Sequence, residues 1–153
     1  MLIARSAQPA PVAPMDDTIL VPTDGSDPAN RAVEHGFELA ERFDATLHAL
    51  YVVDTRRYGE PALSSAEIVV QELEEDGTAL VAEIVERADN RGVAVEAHVC
   101  HGAPHEETID YADEVNAGLV VMGYQSHSHP IEGRMGSVPD RVTQRAGRPV
   151  LTA

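Results

Sequence analysis

The sequence predicts an α/β fold: a doubly wound, five-stranded parallel sheet of order 3-2-1-4-5 with helices on both faces. Three observations predict it. Five short apolar runs of strand length recur along the chain. Segments with apolar residues at helical spacing separate them, and such alternation means a parallel sheet with right-handed crossovers. The length, 153 residues, suits one domain with a sizeable core.

Taken in order, residues 1–14 (MLIARSAQPAPVAP) carry no acid and are broken by proline. They read as a disordered Ala/Pro-rich tail, with the folded domain spanning 15–153; the apolar part is too short for a signal peptide. Thr18–Thr23 is a buried strand. Asp27 and Pro28 start a helix, Asp as cap and Pro in the first turn. Ala29, Ala32, Val33, Gly36, Phe37 and Ala40 form its apolar stripe. Thr46–Val53 is the second strand, and 54–63 a loop. A long acidic helix follows from Ser64 to Arg91, its core face predicted as Ala66, Val70, Leu73, Gly77, Leu80, Val81, Ile84 and Ala88. Gly77 weakens that helix by about 1 kcal/mol relative to Ala. Gly92 ends it, as a residue free to take positive φ.

Val93–Cys100 alternates and reads as the third strand. Pro104 opens a helix to about Asn116, with Glu106 and Glu107 in its first turn, where the dipole favours acids. Gly118–Met122 is the fourth strand, and 123–136 a Gly- and Ser-bearing loop. Ser137 caps a last helix to about Ala146, with Pro139 in the first turn. Pro149–Thr152 closes the sheet.

Charge narrows the function classes. Twenty-six Asp and Glu stand against 11 basic residues, all Arg, for a net charge of −15. This surface argues against nucleic acid and anionic membranes, both of which need basic patches. A single Cys allows neither an intrachain disulfide nor a Cys-based zinc cage. No apolar stretch is long enough to span a bilayer. Abundant short carboxylates and no Lys suit a halophile's cytoplasm, where molar salt shortens the Debye length to about 3 Å.

In the order 3-2-1-4-5 the winding reverses between strands one and four, and ligands bind at the strands' carboxyl ends there. The segments that meet are Pro22–Ser26 and Gly123–Ser137. The second leads into a helix whose free N–H groups suit an anion. It holds one acid, Glu132, and one base, Arg134, so it is nearly neutral within a strongly acidic chain. The alternative reading is that Ser137 merely caps and the glycines merely turn. Arg134 reads more simply as a surface residue paired with a neighbouring acid.

From Asp16 to Leu151 the sequence resembles the universal stress protein family. The residues that carry the likeness are Ile19–Ser26 (ILVPTDGS), Leu50–Asp54, Gly102–Glu107, Gly118–Gly123, Gly136–Val138 and Arg148–Leu151. The resemblance implies an adenine nucleotide alpha hydrolase-like fold, a homodimer paired through the last strand (Pro149–Thr152), and in many members ATP held with Mg²⁺. Carried onto this chain, it puts Pro22, Asp24 and Val52 at the nucleoside end, Val52 through its backbone. Met122 and Gly123 fall beside the ribose, and Ser126, Gly136, Ser137 and Val138 at the phosphates. The family's G-x2-G-x9-G-S/T motif departs here at one position: Ser126 stands where glycine is usual, with the nine-residue spacer intact. Where positive φ is needed, Ser costs roughly 1–2 kcal/mol, about tenfold in affinity. The implied function is a cytoplasmic stress protein with a regulatory nucleotide; the other reading is a dimeric interaction module that binds none.

Two further classes, metal binding and catalysis, have candidate residues. His98, His101 and His105, and the pair His127 and His129, allow metal ligation by type. His98 lies inside a strand with Cys100 on the same face, so ordinary structure is the simpler reading, with Cys100 a small core residue. Asp24, Asp54 and Glu132 are candidate general bases. With no Ser-His-Asp order, and no Lys for a P-loop, the residues point away from an enzyme.

Overall fold

The computed structural model describes residues 17–55, 63–124 and 138–153, the side chains of 63–66 excepted. The expectations for the 1–14 tail, the loop after Thr55, and Ser126, Gly136 and Ser137 lie outside the described residues.

The elements run β1 (Thr18–Pro22), α1 (Asp27–Phe43), β2 (Thr46–Asp54), α2 (Leu63–Arg91), β3 (Val95–Gly102), α3 (Pro104–Glu114), β4 (Leu119–Met122), α4 (Val138–Arg145) and β5 (Val150–Thr152). All pairings are parallel and the order is β3-β2-β1-β4-β5, as the alternation predicts. Period-two alternation splits each strand between two cores. Ile19, Val21, Leu47, Ala49 and Val121 pack under α1 and α2, with Val33, Phe37, Val81 and Ile84. Leu20, Leu50, Val120 and Met122 pack under α3 and α4, with Ala112, Val142 and Ala146. Central strands buried on both faces explain why they read as continuous apolar runs.

Several local expectations shift. The cap of α1 is Ser26, not Asp27: the Ser26 hydroxyl accepts from Ala29 N–H at 3.2 Å, while Asp27 lies in the first turn. Asp retains its dipole role there. β3 starts at Val95, because Val93 is tied back to Ala88 O at 3.0 Å just past the left-handed Gly92 (φ 77°). α3 ends at Glu114, and Asn116 takes φ 55°.

Gly77 is the larger correction. A Cβ there would stand 2.4 Å from Tyr51 Cδ1 and 2.8 Å from Cγ, so the glycine lets α2 lie over the Tyr51 ring. Propensity alone predicts that Gly77→Ala stabilises by about 1 kcal/mol. Overpacking costs about 1–3 kcal/mol, and the whole ring would have to move, so a lower melting temperature is expected. A rise on calorimetry would refute this account.

Across the outer surface of α1 and α2, Arg91 forks onto Glu41 (3.0 and 3.2 Å) and reaches Glu34 (2.9 Å), with Arg87 also on Glu34. Both guanidinium groups lie over the buried Phe37 ring, at 5.0 and 5.4 Å from its centroid. Arginine suits this geometry better than lysine, because its plane both forks and stacks.

Candidate functional site

β1 lies between β2 and β4, so the connections leaving β1 and β4 depart to opposite faces. After Pro22 the chain folds into a tight loop. Thr23 is buried, its N–H donates to Leu50 O (2.9 Å), and its hydroxyl accepts from Gly25 N–H (3.1 Å). Asp24 Oδ1 accepts from Ser26 N–H (2.9 Å), and Gly25 takes φ 81°, a conformation that glycine adopts without strain. These bonds hold Asp24 exposed at the carboxyl edge, with Oδ1 engaged in the turn.

The backbone of Val52 faces the same place. Thr46 N–H bonds to Asp17 O, Leu47 N–H to Ala94 O, and Leu50 O accepts from Thr23. Main-chain groups alternate sides along a strand. Residues 46, 48, 50 and 52 of β2 therefore turn their N–H and C=O toward β1. The β1 ladder ends at Pro22 opposite Leu50, whereas β3 continues beside β2 to Asp54. The main-chain pair of Val52 thus opens over the end of β1, beside the loop that carries Asp24.

Gly123 meets α1 directly. A Cβ on it would lie 2.4 Å from Pro28 C and 2.6 Å from Ala29 N. Its lack of a side chain is a packing requirement that brings the end of β4 against the first turn of α1. In sequence this glycine reads as a ligand contact; its packing neighbour, Pro28, lies far away in the chain. The Met122 side chain is 4% exposed in the α3/α4 core, and its carbonyl accepts from Ala153 N–H (2.9 Å). Pro22 is half-buried at the end of β1, and Val138 half-buried at the start of α4. Of the predicted site, Pro22, Asp24, Val52, Met122 and Gly123 therefore gather at the carboxyl edge of the three central strands.

The described histidines go to separate tasks. His98 stacks on Tyr111, His101 pairs with Glu74, and His105 is buried with Nε2 3.9 Å from a Glu106 oxygen. Among the described residues no three His, Cys, Asp or Glu gather as a metal-binding group. The Cys100 thiol is pushed up to about 11 by burial first, then by the carboxylate of Glu107. Such a thiol remains protonated and unreactive at neutral pH. Among the described residues no helix is long and apolar enough to cross a membrane.

A profile of the universal stress protein family matches residues 15–153. The chain belongs to the universal stress protein family. Universal stress protein MJ0531 of Methanocaldococcus jannaschii is 35% identical over 134 residues, which cover 87% of this chain and 79% of that protein. Among solved structures, a universal stress protein family member from Burkholderia pseudomallei superposes with a TM-score of 0.77. It is 29% identical and covers 93% of this chain and 98% of its own. A universal stress protein crystallised in complex with cAMP is also 29% identical, with a TM-score of 0.68, covering 90% and 95% of the two chains. The shared fold of these universal stress proteins is the five-stranded sheet described above.

Proposed function

We propose that this universal stress protein binds an adenine nucleotide, ATP with Mg²⁺, as a regulatory ligand rather than a substrate. The observation that carries the reading is the Val52 main chain, open over the end of β1 beside Asp24. Adenine offers an amino donor and a ring acceptor side by side, which a C=O and N–H of one strand residue match. Asp24, an acceptor with an oxygen outside its own turn, suits a ribose hydroxyl. Gly123 would lie along the sugar. Ser126, Gly136, Ser137 and Val138 would hold the phosphates by sequence, and Mg²⁺ would neutralise those phosphates when bound. The cAMP complex of a 29% identical relative supports an adenine ligand in this fold.

The same reading has the chain act as a cytoplasmic homodimer through Pro149–Thr152. β5 is an edge strand of three residues with Leu151 42% exposed, and such edges are normally covered. The second reading, a dimeric interaction module without nucleotide, is favoured by one feature, Ser126 in the glycine position.

Titration calorimetry with Mg-ATP, and separately with cAMP, in molar KCl tests the proposal. Saturable heat at one nucleotide per chain is expected, and Ser126→Gly is expected to tighten it about tenfold. No heat with either nucleotide would favour the interaction module. Release of ADP at a turnover rate above background would instead make the nucleotide a substrate.

A further inference from the structure

The sheet has two edges of unequal length. β5 is three residues long, whereas β3 runs for eight, Val95–Gly102, as the outer strand beyond β2. Such an edge is a template for another strand. Strand register shows what β3 offers. Leu47 N–H donates to Ala94 O, so Ala94, Glu96, His98 and Cys100 turn their main chain inward, to β2. Val95, Ala97, Val99 and His101 therefore turn theirs outward. Side chains alternate as well. Val95 and Val99 lean on the α1/α2 core, and Glu96 and His98 stand exposed on the opposite face. The flank beside this edge is short of charge. Glu74 of α2 pairs with His101, which marks the side of the helix that overlooks β3. Between Gln71 and Val85 that side carries Thr78 and Ala82, both exposed and uncharged, while Glu72, Glu75, Asp76 and Glu83 fall elsewhere around the helix.

A second copy of the chain complements this edge in one register. Two identical edges pair antiparallel about a two-fold axis, and outward main-chain groups meet outward ones only where that axis passes through a residue. With the axis at Glu96, the two carboxylates face each other, and like charges directly opposite are destabilising. With the axis at His98, the two imidazoles meet and Glu96 faces Cys100. With the axis at Val99, Glu96 faces Gly102. With the axis at Ala97, Glu96 of each copy faces His98 of the other, Val95 faces Val99, and Ala97, exposed and small, meets its own counterpart. That last register sets acid opposite imidazole on one face and apolar opposite apolar on the other. Val95, Ala97 and Val99 then form the hydrogen-bonded pairs, each exchanging both main-chain bonds.

We propose that β3 is a self-complementary docking edge: it joins two copies of this chain, antiparallel, with Ala97 on the two-fold axis. Main-chain bonds carry the affinity, as in any added strand, and the Glu96–His98 pairs select the register. The Tyr111 ring, stacked on His98 at 4.8 Å and within 12° of parallel, steadies the imidazole on its own sheet. Molar salt screens the repulsion between two chains of net charge −15. Opposed groups at contact lie within the remaining Debye length of about 3 Å and still act. The edge is separate from the nucleotide site and lies across the sheet from β5. Where both edges pair, the chain assembles beyond a dimer.

Sedimentation equilibrium of the full chain over a concentration series in molar KCl tests the edge. Ala97→Pro removes an outward N–H that the sheet itself does not use, and edge strands accept proline. It is expected to show one doubling of mass fewer than wild type, with nucleotide heat unchanged, so the edge and the nucleotide site are judged apart. The register is read by exchanging charges. Glu96→His sets imidazole opposite imidazole, and His98→Glu sets acid opposite acid, so each alone is expected to associate several-fold more weakly. An equal mixture of the two restores an acid–imidazole pair at both positions and is expected to regain the wild-type mass as a mixed complex. These two variants decide if Ala97→Pro fails to fold. A mass series in folded Ala97→Pro identical to wild type, or a mixture that associates no better than its components, would overturn the proposal.

Discussion

Replacing Gly123 by Ala is expected to destabilise the fold by about 3 kcal/mol, lowering the melting temperature by roughly 6–12 °C. The added methyl would meet Pro28 C at 2.4 Å, Ala29 N at 2.6 Å and Pro28 O at 2.6 Å. All three are main-chain atoms in the first turn of α1, anchored by the Ser26 cap and by the buried Ala29. No rotamer change relieves such a clash. Either β4 or the helix start must retreat, and both border the candidate nucleotide site. Thermal unfolding followed by circular dichroism checks this. A glycine retained only for close approach of a ligand would give the opposite pattern, with lost nucleotide heat and an unchanged melting temperature.

Arg148→Ala is expected to cost a similar amount, about 3 kcal/mol. The side chain is 17% exposed and reaches back across the end of α3. Its Nη1 donates to Ala112 O (3.0 Å) and Ala117 O (2.7 Å), and Nη2 to Asp113 Oδ1 (2.7 Å). Those carbonyls belong to buried residues at and just beyond the helix end, where the dipole favours a cation. Ala112 O keeps the Ala117 N–H (2.9 Å), but removing the fork leaves the buried Ala117 O without its donor, which is the expensive way to lose a hydrogen bond. Asp113 is 62% exposed, so the ion pair itself contributes little in high salt. Asp113→Asn is accordingly expected to cost under about 1 kcal/mol. Arg148→Lys keeps the charge but loses the fork, and an intermediate melting temperature is expected. Equal effects of Arg148→Ala and Asp113→Asn would show that the ion pair, not the carbonyl clamp, holds this corner.

The roles of these two residues are not legible along the chain. In sequence, Gly123 reads as a ligand glycine and Arg148 as one residue of the family resemblance. Their neighbours lie in other elements, Pro28 for Gly123 and Ala112 for Arg148, and no pattern along the chain signals either contact. Gly77 is the clearest case. Its effect changes sign once Tyr51 is known to lie beneath it. His48 is a similar case: a polar residue within the apolar run of β2, its partner Tyr111 lies 63 residues further along the chain.

What the sequence determined by itself is the alternation of elements, and with it the parallel sheet, its order and the meeting of the Pro22–Ser26 loop with Gly123. Those signals are short-range: apolar spacing, a proline in a first turn, a glycine after a last one. Handedness then restricts the winding to few choices. Tertiary structure alone decided which glycines are steric necessities, which arginine clamps a helix end, and how strand register leaves the Val52 main chain open over the end of β1. The physical reason is common to all three. Each depends on distances of 3 Å or less, or on strand register, between residues far apart in the chain, and one-dimensional patterns carry no measure of that proximity.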